Sequence, residues 1–138
     1  MKAKLFLISL LAVANLFGCN DKTEPASQAG GPKAQYHKIS ADEAKKQLDA
    51  DNRIILVDVR TEAEYKDKHI PGSILLPVDR IAELAPAKLP DKEAKIFVYC
   101  RSGNRSEAAS QKLIELGYKN VYDFGGIIDW KYQTESDN

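Results

Sequence analysis

Cysteine and histidine are scarce in this chain of 138 residues, which contains two of each. Two cysteines, Cys19 and Cys100, cannot supply the several bridges that stabilise small disulfide-rich domains. The two histidines, His37 and His69, do not stand at metal-ligand spacing from either cysteine. The sequence therefore predicts no metal site, neither zinc nor haem, and no other cofactor.

An excess of either charge is also lacking. Twenty lysines and arginines balance twenty aspartates and glutamates, and the two signs are interspersed along the chain. A nucleic-acid-binding domain carries a basic patch or stripe, so we expect no nucleic acid among the partners. The length is sufficient for one domain with an appendage.

The N-terminal apolar stretch, Leu5–Phe17, has 13 residues, whereas a transmembrane helix needs about 20. It follows two cations, Lys2 and Lys4, and precedes a small residue and a cysteine. A short apolar run between a basic start and a small-residue cleavage site is the pattern of a signal peptide. We predict a signal peptide over residues 1–18.

The end of this segment, Leu16-Phe17-Gly18-Cys19, resembles the lipobox of bacterial lipoproteins, although Phe17 departs from the smaller residue usual there. The resemblance implies that Cys19 is lipidated and becomes the first residue of the mature chain. Two acyl chains give the stable membrane anchorage that one does not. We expect an anchored protein of the bacterial cell envelope, periplasmic or on the outer surface; the alternative is a secreted soluble protein.

Residues 19–34 have no large apolar side chain and are rich in proline, glycine, serine and alanine. This composition predicts a flexible tether between the anchor and a folded domain. The domain is predicted over residues 35–133, and residues 134–138 are predicted as a C-terminal tail.

Apolar runs and helical patterns alternate along the domain. Two continuous apolar runs, 54–59 and 96–99, are typical of strands buried on both faces. Helices are predicted at 40–50, 79–84, 105–116 and 127–132, and a short helix is predicted after Thr61. Further strands are predicted at 36–39, 74–76 and 121–124. Residues 85–92 are predicted to be an exposed connection. In the helix at 105–116, Ala108, Ala109 and Leu113 are expected to face inward. This alternation predicts an α/β fold with a parallel sheet, helices on both faces and ligands at the carboxyl ends of the strands.

One stretch carries the chemistry, Lys95–Ser106, with the sequence K-I-F-V-Y-C-R-S-G-N-R-S. A buried strand ends at Cys100, a short polar turn follows, and a helix begins, so backbone N–H groups can surround one point as an anion-binding nest. The pKa of a free cysteine, about 8.5, falls to about 3.5–7.5 at helix N-termini or beside cations, and Arg101 and Arg105 flank this one. We infer a nucleophilic thiolate that handles an anion or carries a sulfur.

Four motifs stand in order along the chain: D-V-R at 58–60 followed by Glu64-Tyr65, H-I-P-G-S at 69–73, C-R-S-G-N-R-S at 100–106 and G-G-I-I-D-W at 125–130. Together they make the region from Tyr36 to Tyr132 resemble a single-domain rhodanese-like sulfurtransferase. The resemblance implies a five-stranded parallel sheet, a catalytic Cys100 and a loop, Cys100–Arg105, whose amides surround the sulfur. It also implies that Asp58, Arg60 and residues 69–72 mainly support the neighbouring loops.

Separate roles are expected within the substrate-binding loop, which comprises Arg101, Ser102, Gly103, Asn104, Arg105 and Ser106. Arg101 is the candidate for recognising the anionic end of a donor, and Gly103 supplies backbone freedom. Arg105 either contacts substrate or pairs with Glu64 or Glu107. Ser106 either caps the following helix or donates to the carried sulfur.

The predicted reaction moves a sulfur through a persulfide on Cys100, from a small donor such as thiosulfate to cyanide or a cellular thiol. A thiolate needs no general base for the attack. A cysteine-dependent phosphatase or arsenate reductase is one alternative, but its signature is C-x5-R, and the tighter C-x4-R here suits a sulfur atom better. A non-catalytic partner-binding module is the other. We expect a monomer.

Overall fold

The two continuous apolar runs are neighbouring strands in a computed structural model of the chain, which describes residues 34–137. The predicted signal peptide, Cys19 and nearly all of the predicted tether lie outside these residues. The strands are β1 (His37–Lys38), β2 (Ile55–Asp58), β3 (Ile74–Leu75), β4 (Lys95–Cys100) and β5 (Asn120–Gly126). The helices are α1 (Ala41–Ala50), α2 (Glu62–Asp67), α3 (Ile81–Lys88) and α4 (Asn104–Glu115), with 3₁₀ turns at Val78–Arg80 and Ile127–Asp129.

All five strands form one parallel sheet in the order β1-β5-β4-β2-β3. The α/β fold with a five-stranded parallel sheet, predicted from the alternation and the family resemblance, is confirmed. No helix among residues 34–137 combines the length and the apolar character needed to cross a membrane.

Side chains of β4 alternate between two apolar cores because successive residues of a strand point to opposite faces. Ile96, Val98 and Cys100 join a cluster with residues of α3 and α4, whereas Phe97 and Tyr99 join a cluster with α1 and Trp130. Both faces of the sheet are therefore covered. This alternation places the Cys100 side chain on the α4 side.

The predicted exposed connection at 85–92 is wrong for its first half, because α3 runs to Lys88 and contains Pro86. Ala85 and Leu89 are fully buried, and the hydroxyl of Tyr118 lies 3.0 and 2.6 Å from their carbonyl oxygens, to either of which it can donate. Ile81, Ala85 and Leu89 are spaced four apart and form one apolar stripe. The two prolines obscured that stripe in the sequence.

Two further helix predictions need correction. Ala108 is exposed, whereas Ala109 and Leu113 are buried as expected. Only a single 3₁₀ turn forms within the predicted helix at 127–132, although Trp130 is buried.

The C-terminal residues 134–137, predicted as a tail, instead pair with the domain. The backbone N–H groups of His69 and Glu135 each donate to the other residue's carbonyl, at 2.8 and 2.9 Å, and the N–H of Asp137 donates to the carbonyl of Lys66. The imidazole of His69 is buried and lies 3.1 Å from a carboxylate oxygen of Glu135. This pairing joins segments 66 residues apart, so no local sequence pattern predicts it.

A buried ion pair, Asp58 with Arg60, holds the segment that leaves β2. The guanidinium donates to both carboxylate oxygens at 2.7–3.1 Å, and the Arg60 N–H donates to the same carboxylate at 2.9 Å. Their side chains are 0% and 5% exposed. The guanidinium also donates to the carbonyl of Lys68, so the pair connects the end of β2 to the end of α2.

We expect Asp58→Ala to lower the free energy of unfolding by about 3–5 kcal/mol, because it leaves a buried guanidinium without a counter-ion. Urea unfolding followed by circular dichroism measures the change. Glu83→Ala is the matched control, since it breaks an exposed pair with Arg80 and should cost less than about 1 kcal/mol. Equal costs for the two variants would contradict a supporting role for the buried pair.

Candidate active site

Cys100 is the last residue of β4, at the carboxyl end of the sheet, and its side chain is 1% exposed. Asp58 ends the neighbouring strand β2 at the same edge, opposite Tyr99. In parallel α/β sheets this edge is where ligands bind, because the loops that leave it cluster there. The structure thus puts the thiol at the position expected for a ligand site.

Between Cys100 and α4 the chain makes a turn that brings backbone N–H groups onto the sulfur. Gly103 is the N-cap of α4 and has a left-handed backbone, with φ of 115°, which few residues other than glycine adopt. Its N–H donates to the Cys100 Sγ at 3.0 Å, and the nearby amides of Ser102 and Ser106 help to lower the pKa of the thiol. The sulfur thus sits in a nest of amides at the N-terminus of a helix.

Ser106 lies in the first turn of α4 and is fully buried. Its hydroxyl is 2.9 Å from the carbonyl of Gly103 and 3.3 Å from that of Gly125, and it lies near enough to the sulfur to lower the pKa of Cys100. A hydroxyl has one hydrogen to donate. It can therefore turn from a carbonyl to the sulfur when the sulfur carries negative charge. The N-cap itself is Gly103, so Ser106 does not cap the helix.

Two opposing effects set the pKa of Cys100. Burial raises it, but the hydrogen bonds from the Ser106 hydroxyl and from the amides of Ser106, Gly103 and Ser102 outweigh burial and hold the pKa below its ordinary value. Donors aimed at a sulfur stabilise its charged form. The site accordingly favours a thiolate.

The side chain of Arg105 turns away to Glu64, the fourth residue after Arg60. Its two terminal nitrogens donate to the two carboxylate oxygens at 2.7 and 2.8 Å. This bidentate pair is two-thirds buried, with exposures of 33% and 30%. Of the two partners expected for Arg105, the structure selects Glu64.

Arg101 has the opposite environment. Its side chain is exposed, and no hydrogen bond or ion pair engages it among residues 34–137. Its carbonyl accepts from the N–H of Ile128 at 3.3 Å, which fixes the backbone of the loop while the guanidinium remains free. Ser102 and Asn104 are also exposed at the mouth of the loop.

The second glycine of the Gly125-Gly126 pair is required for the loop to leave the sheet. Gly126 lies opposite Cys100 in the β4–β5 pairing, and a Cβ at this position would come within 2.1 Å of the Arg101 carbonyl oxygen. No side chain fits there. The sequence pattern alone indicated only that this pair interrupts the strand; β5 in fact continues through Gly126.

A network of hydrogen bonds from two tyrosines fixes the segment at 69–73. The hydroxyl of Tyr99 accepts from the N–H of Ile70 at 3.1 Å and lies 3.0 Å from the Ser73 hydroxyl, and Tyr65 donates to the Ser73 carbonyl at 2.6 Å. Burial, followed by the nearby carboxylate of Asp58, raises the pKa of Tyr99, so it remains neutral. The sequence placed Tyr65 in a motif without indicating its hydrogen bond. It did not single out Tyr99, because a buried aromatic residue in a strand is most often core.

An open cavity of about 300 Å³ lies beside the loop. Its lining includes Lys38, Ser102, Asn104, Glu107 and Asp123. Lys38 and Glu107 form an exposed ion pair at 3.1 Å. Among residues 34–137, no three His, Cys, Asp or Glu side chains come together as metal ligands.

Comparisons with known proteins agree with this architecture. A family model described as rhodanese-like domain matches residues 40–133. The thiosulfate sulfurtransferase PspE of Escherichia coli is 36% identical over 73 residues, which cover 53% of this chain and 70% of PspE. The adenylyltransferase and sulfurtransferase uba4 of Ogataea parapolymorpha is 36% identical over 106 residues, covering 75% of this chain but only 27% of the relative.

The chain thus spans about a quarter of the length of the Ogataea relative and about two thirds of PspE. Among solved structures, a rhodanese with anions from E. coli is 31% identical and superposes with a TM-score of 0.57, covering 60% of this chain and 98% of that one. The family model covers the strands β2 to β5 and the Cys100 loop together. On this ground the chain belongs to the family of rhodanese-like domains, some of whose members are sulfurtransferases.

Proposed function

We propose that this protein is a sulfurtransferase in which Cys100 carries a single sulfur, as a persulfide, from a small donor to a thiophilic acceptor. The observation that supports it most is the nest: the Cys100 Sγ accepts from the N–H of Gly103 at 3.0 Å, and the nearby amides of Ser102 and Ser106 help to hold the pKa of the thiol below its ordinary value. Backbone donors held in advance around a sulfur stabilise the charge that develops there.

In the first half-reaction, with thiosulfate as the donor, the Cys100 thiolate attacks the outer sulfur. A new bond forms from Sγ to that sulfur, the sulfur–sulfur bond of thiosulfate breaks, and its electron pair leaves with sulfite. In the second half-reaction an acceptor, cyanide or a thiolate, attacks the outer sulfur of the persulfide and releases the Cys100 thiolate. No external oxidant or reductant enters, because the sulfur is displaced twice.

The residues of the loop have different roles in the proposed reaction. The amides and the N-terminus of α4 hold the negative sulfur, the helix dipole contributing typically 0.3–1 kcal/mol and up to about 2 in partly buried geometry. The Ser106 hydroxyl, which lies 2.9 Å from the Gly103 carbonyl, turns to donate to the thiolate. Arg101 is exposed and unpaired within the described residues, so it is the candidate for the anionic end of a donor.

A phosphatase-like reaction has less support. Cysteine-dependent phosphatases bind a tetrahedral phosphate with an arginine at the end of a C-x5-R loop. Here the arginine closes a shorter loop, C-x4-R, and its two terminal nitrogens are already bonded to Glu64. A non-catalytic role has less support because the thiol is present and its pKa is lowered.

The location of the protein is part of the proposal. We infer from residues 1–19 that a lipid on Cys19 anchors the chain in a bacterial cell envelope, outside the cytoplasm, with the 19–34 segment as a spacer. The chain would then act as a monomer on small molecules that reach the membrane surface. Its donor and acceptor would have to be present in that compartment.

We expect the full chain to gain the mass of one sulfur atom when incubated with excess thiosulfate or a hydropersulfide, and to lose it when cyanide is added. Intact-mass spectrometry and thiocyanate release measure the two steps. Cys100→Ser should gain no sulfur and form no thiocyanate. Absence of the added mass with both donors would refute the proposal, and Cys100-dependent hydrolysis of an aryl phosphate would favour a phosphatase instead.

The hydrogen bond from Ser106 predicts a pH effect. Because the folded pKa of Cys100 is lowered, alkylation by iodoacetamide should reach half of its maximal rate at a lower pH than it does for an unperturbed cysteine. Ser106→Ala removes a donor to the thiolate, so the midpoint should rise by about 1 pH unit. Ser110→Ala is the matched control, since Ser110 is buried one turn further along α4 and its hydroxyl has no hydrogen-bond partner.

A midpoint that stays in place in Ser106→Ala would show that the hydroxyl serves only the carbonyls of Gly103 and Gly125. A midpoint that moves equally in both serine variants would show a general effect of altering α4. Only a shift confined to Ser106→Ala supports its donation to the sulfur.

The anchor predicts a fractionation result. When the full chain is expressed in a bacterium, it should sediment with the membranes and incorporate labelled palmitate, whereas Cys19→Ala should do neither. Cys100→Ser is the control, because it removes the other cysteine and should leave labelling unchanged. Recovery of the unaltered chain in the soluble envelope fraction without label would favour the secreted alternative.

A further inference from the structure

The C-terminal strap, residues 134–137, is joined to the domain by a short antiparallel bridge. His69 and Glu135 exchange two backbone hydrogen bonds, at 2.8 and 2.9 Å, and the N–H of Asp137 donates to the carbonyl of Lys66 at 2.9 Å. An isolated pairing of two short strands is at best marginally stable in water. The side chains that accompany the bridge therefore decide how firmly the strap is held.

The imidazole of His69 lies under the strap in a fixed orientation. It is 2% exposed and stacks on the ring of Tyr65, with centroids 3.9 Å apart and ring planes 8° from parallel. Its Nδ1 lies 2.7 Å from the carbonyl oxygen of Tyr65. Because a carbonyl oxygen can only accept, Nδ1 carries a proton and donates it to this hydrogen bond.

The other ring nitrogen faces the carboxylates of the strap. The Nε2 of His69 lies 3.1 Å from an oxygen of Glu135 and 3.9 Å from an oxygen of Asp137. An ionised carboxylate can also only accept. A hydrogen bond here needs a further proton, which goes to the imidazole as the stronger base. Without that proton, the lone pair of Nε2 faces the Glu135 carboxylate, and two acceptors repel each other.

Neighbouring elements leave the strap carboxylates as the main charges that face the ring. Their own charged groups occur in pairs of opposite sign: Arg60 with Asp58, Lys66 with Glu62, and the exposed Lys68 beside the exposed Asp67. The hydroxyl of Tyr65 donates to the carbonyl of Ser73, and burial raises the pKa of Tyr65. That phenol therefore adds no charge. Two carboxylates within 4 Å of Nε2 favour the protonated ring.

We propose that His69 is a proton-dependent clasp for the C-terminal strap: the doubly protonated ring holds the strap closed through Glu135, and loss of the Nε2 proton releases it. The closed strap binds this proton more tightly than the open strap, in which water replaces Glu135. Linkage then gives the direction of the pH dependence. The strap is held at low pH and opens as the pH rises through the range in which histidines titrate, about 5 to 8.

The clasp contacts an element that positions the Cys100 loop. Tyr65, on which His69 stacks, follows Glu64 on α2, and Glu64 binds Arg105 in the loop. Opening of the strap therefore removes a support from α2 without altering a group that touches Cys100.

Hydrogen exchange of the full chain, followed by NMR, measures how often the strap opens. Protection factors already correct for the intrinsic effect of pH on exchange. Between about pH 5 and about pH 8, those of the Glu135 and Asp137 amides should fall about 3- to 10-fold, as expected when a charge-assisted hydrogen bond to a half-exposed carboxylate is lost. Amides of β4 should keep their protection, which separates local opening from global unfolding.

Glu135→Gln tests the assigned contact. The oxygen of the new amide can accept from a protonated ring and its nitrogen can donate to a neutral ring, so the strap should stay closed at both pH values and its protection should change less than about 2-fold. The matched control is Glu115→Gln, which also removes one exposed carboxylate, here paired with Lys112 on α4. It should keep the pH response of the unaltered chain.

Nitrogen-15 shifts of the His69 ring supply an independent readout, and both nitrogens should be protonated at about pH 5. A ring with a single proton while the strap is closed would overturn the inference, as would equal protection at both pH values in the unaltered chain. A pH response that persists in Glu135→Gln would also overturn it. If that variant folds poorly, His69→Gln replaces it, and its strap protection should no longer change with pH. These readouts involve no substrate, so their outcome is separate from that of the sulfur-transfer test.

Discussion

The site depends on one constraint: the backbone N–H groups of a tight loop must gather around a sulfur placed at the end of a buried strand. The strand β4 ends at Cys100, and within three residues the chain reverses into α4 through the left-handed Gly103. The reversal is possible only because Gly126, opposite Cys100 in the sheet, leaves room for the Arg101 carbonyl. A side chain at that position would push the loop outward and disperse the amides.

A chain of ionic contacts joins this loop to the opposite half of the sheet. Asp58 holds Arg60 at the end of β2, the next residue caps α2, and the same capping box fixes Glu64, which binds Arg105. The buried pair maintains the position of the second pair, and the second pair sets how much positive charge faces Cys100. The same residues therefore support the loop and set its charge. A substitution at Glu64 changes the charge alone only if the capping box is preserved.

The position of the hydrogen-bond donors also distinguishes phosphatase chemistry from sulfur transfer at a thiolate of this kind. A phosphate monoester needs an arginine whose terminal nitrogens are free to bind its oxygens, whereas a persulfide needs donors around a single sulfur. In this loop the Gly103 amide donates to the Cys100 Sγ, while the guanidinium of Arg105 is hydrogen-bonded to Glu64. A compact nest suits a single sulfur atom better than a tetrahedral oxyanion.

Local patterns in the sequence determined the parallel α/β sheet, the two central strands and the placement of Cys100 between a strand and a helix. These features follow from the periodicity of neighbouring residues and from the order of the motifs at 58–65, 69–73, 100–106 and 125–130. Contacts between distant segments were decided only by the tertiary structure: the choice of Glu64 as the partner of Arg105, the pairing of His69 with Glu135, and the approach of Gly126 to the Arg101 carbonyl. The physical reason is that each depends on the distance between elements brought together by strand pairing, and no spacing along the chain encodes that distance.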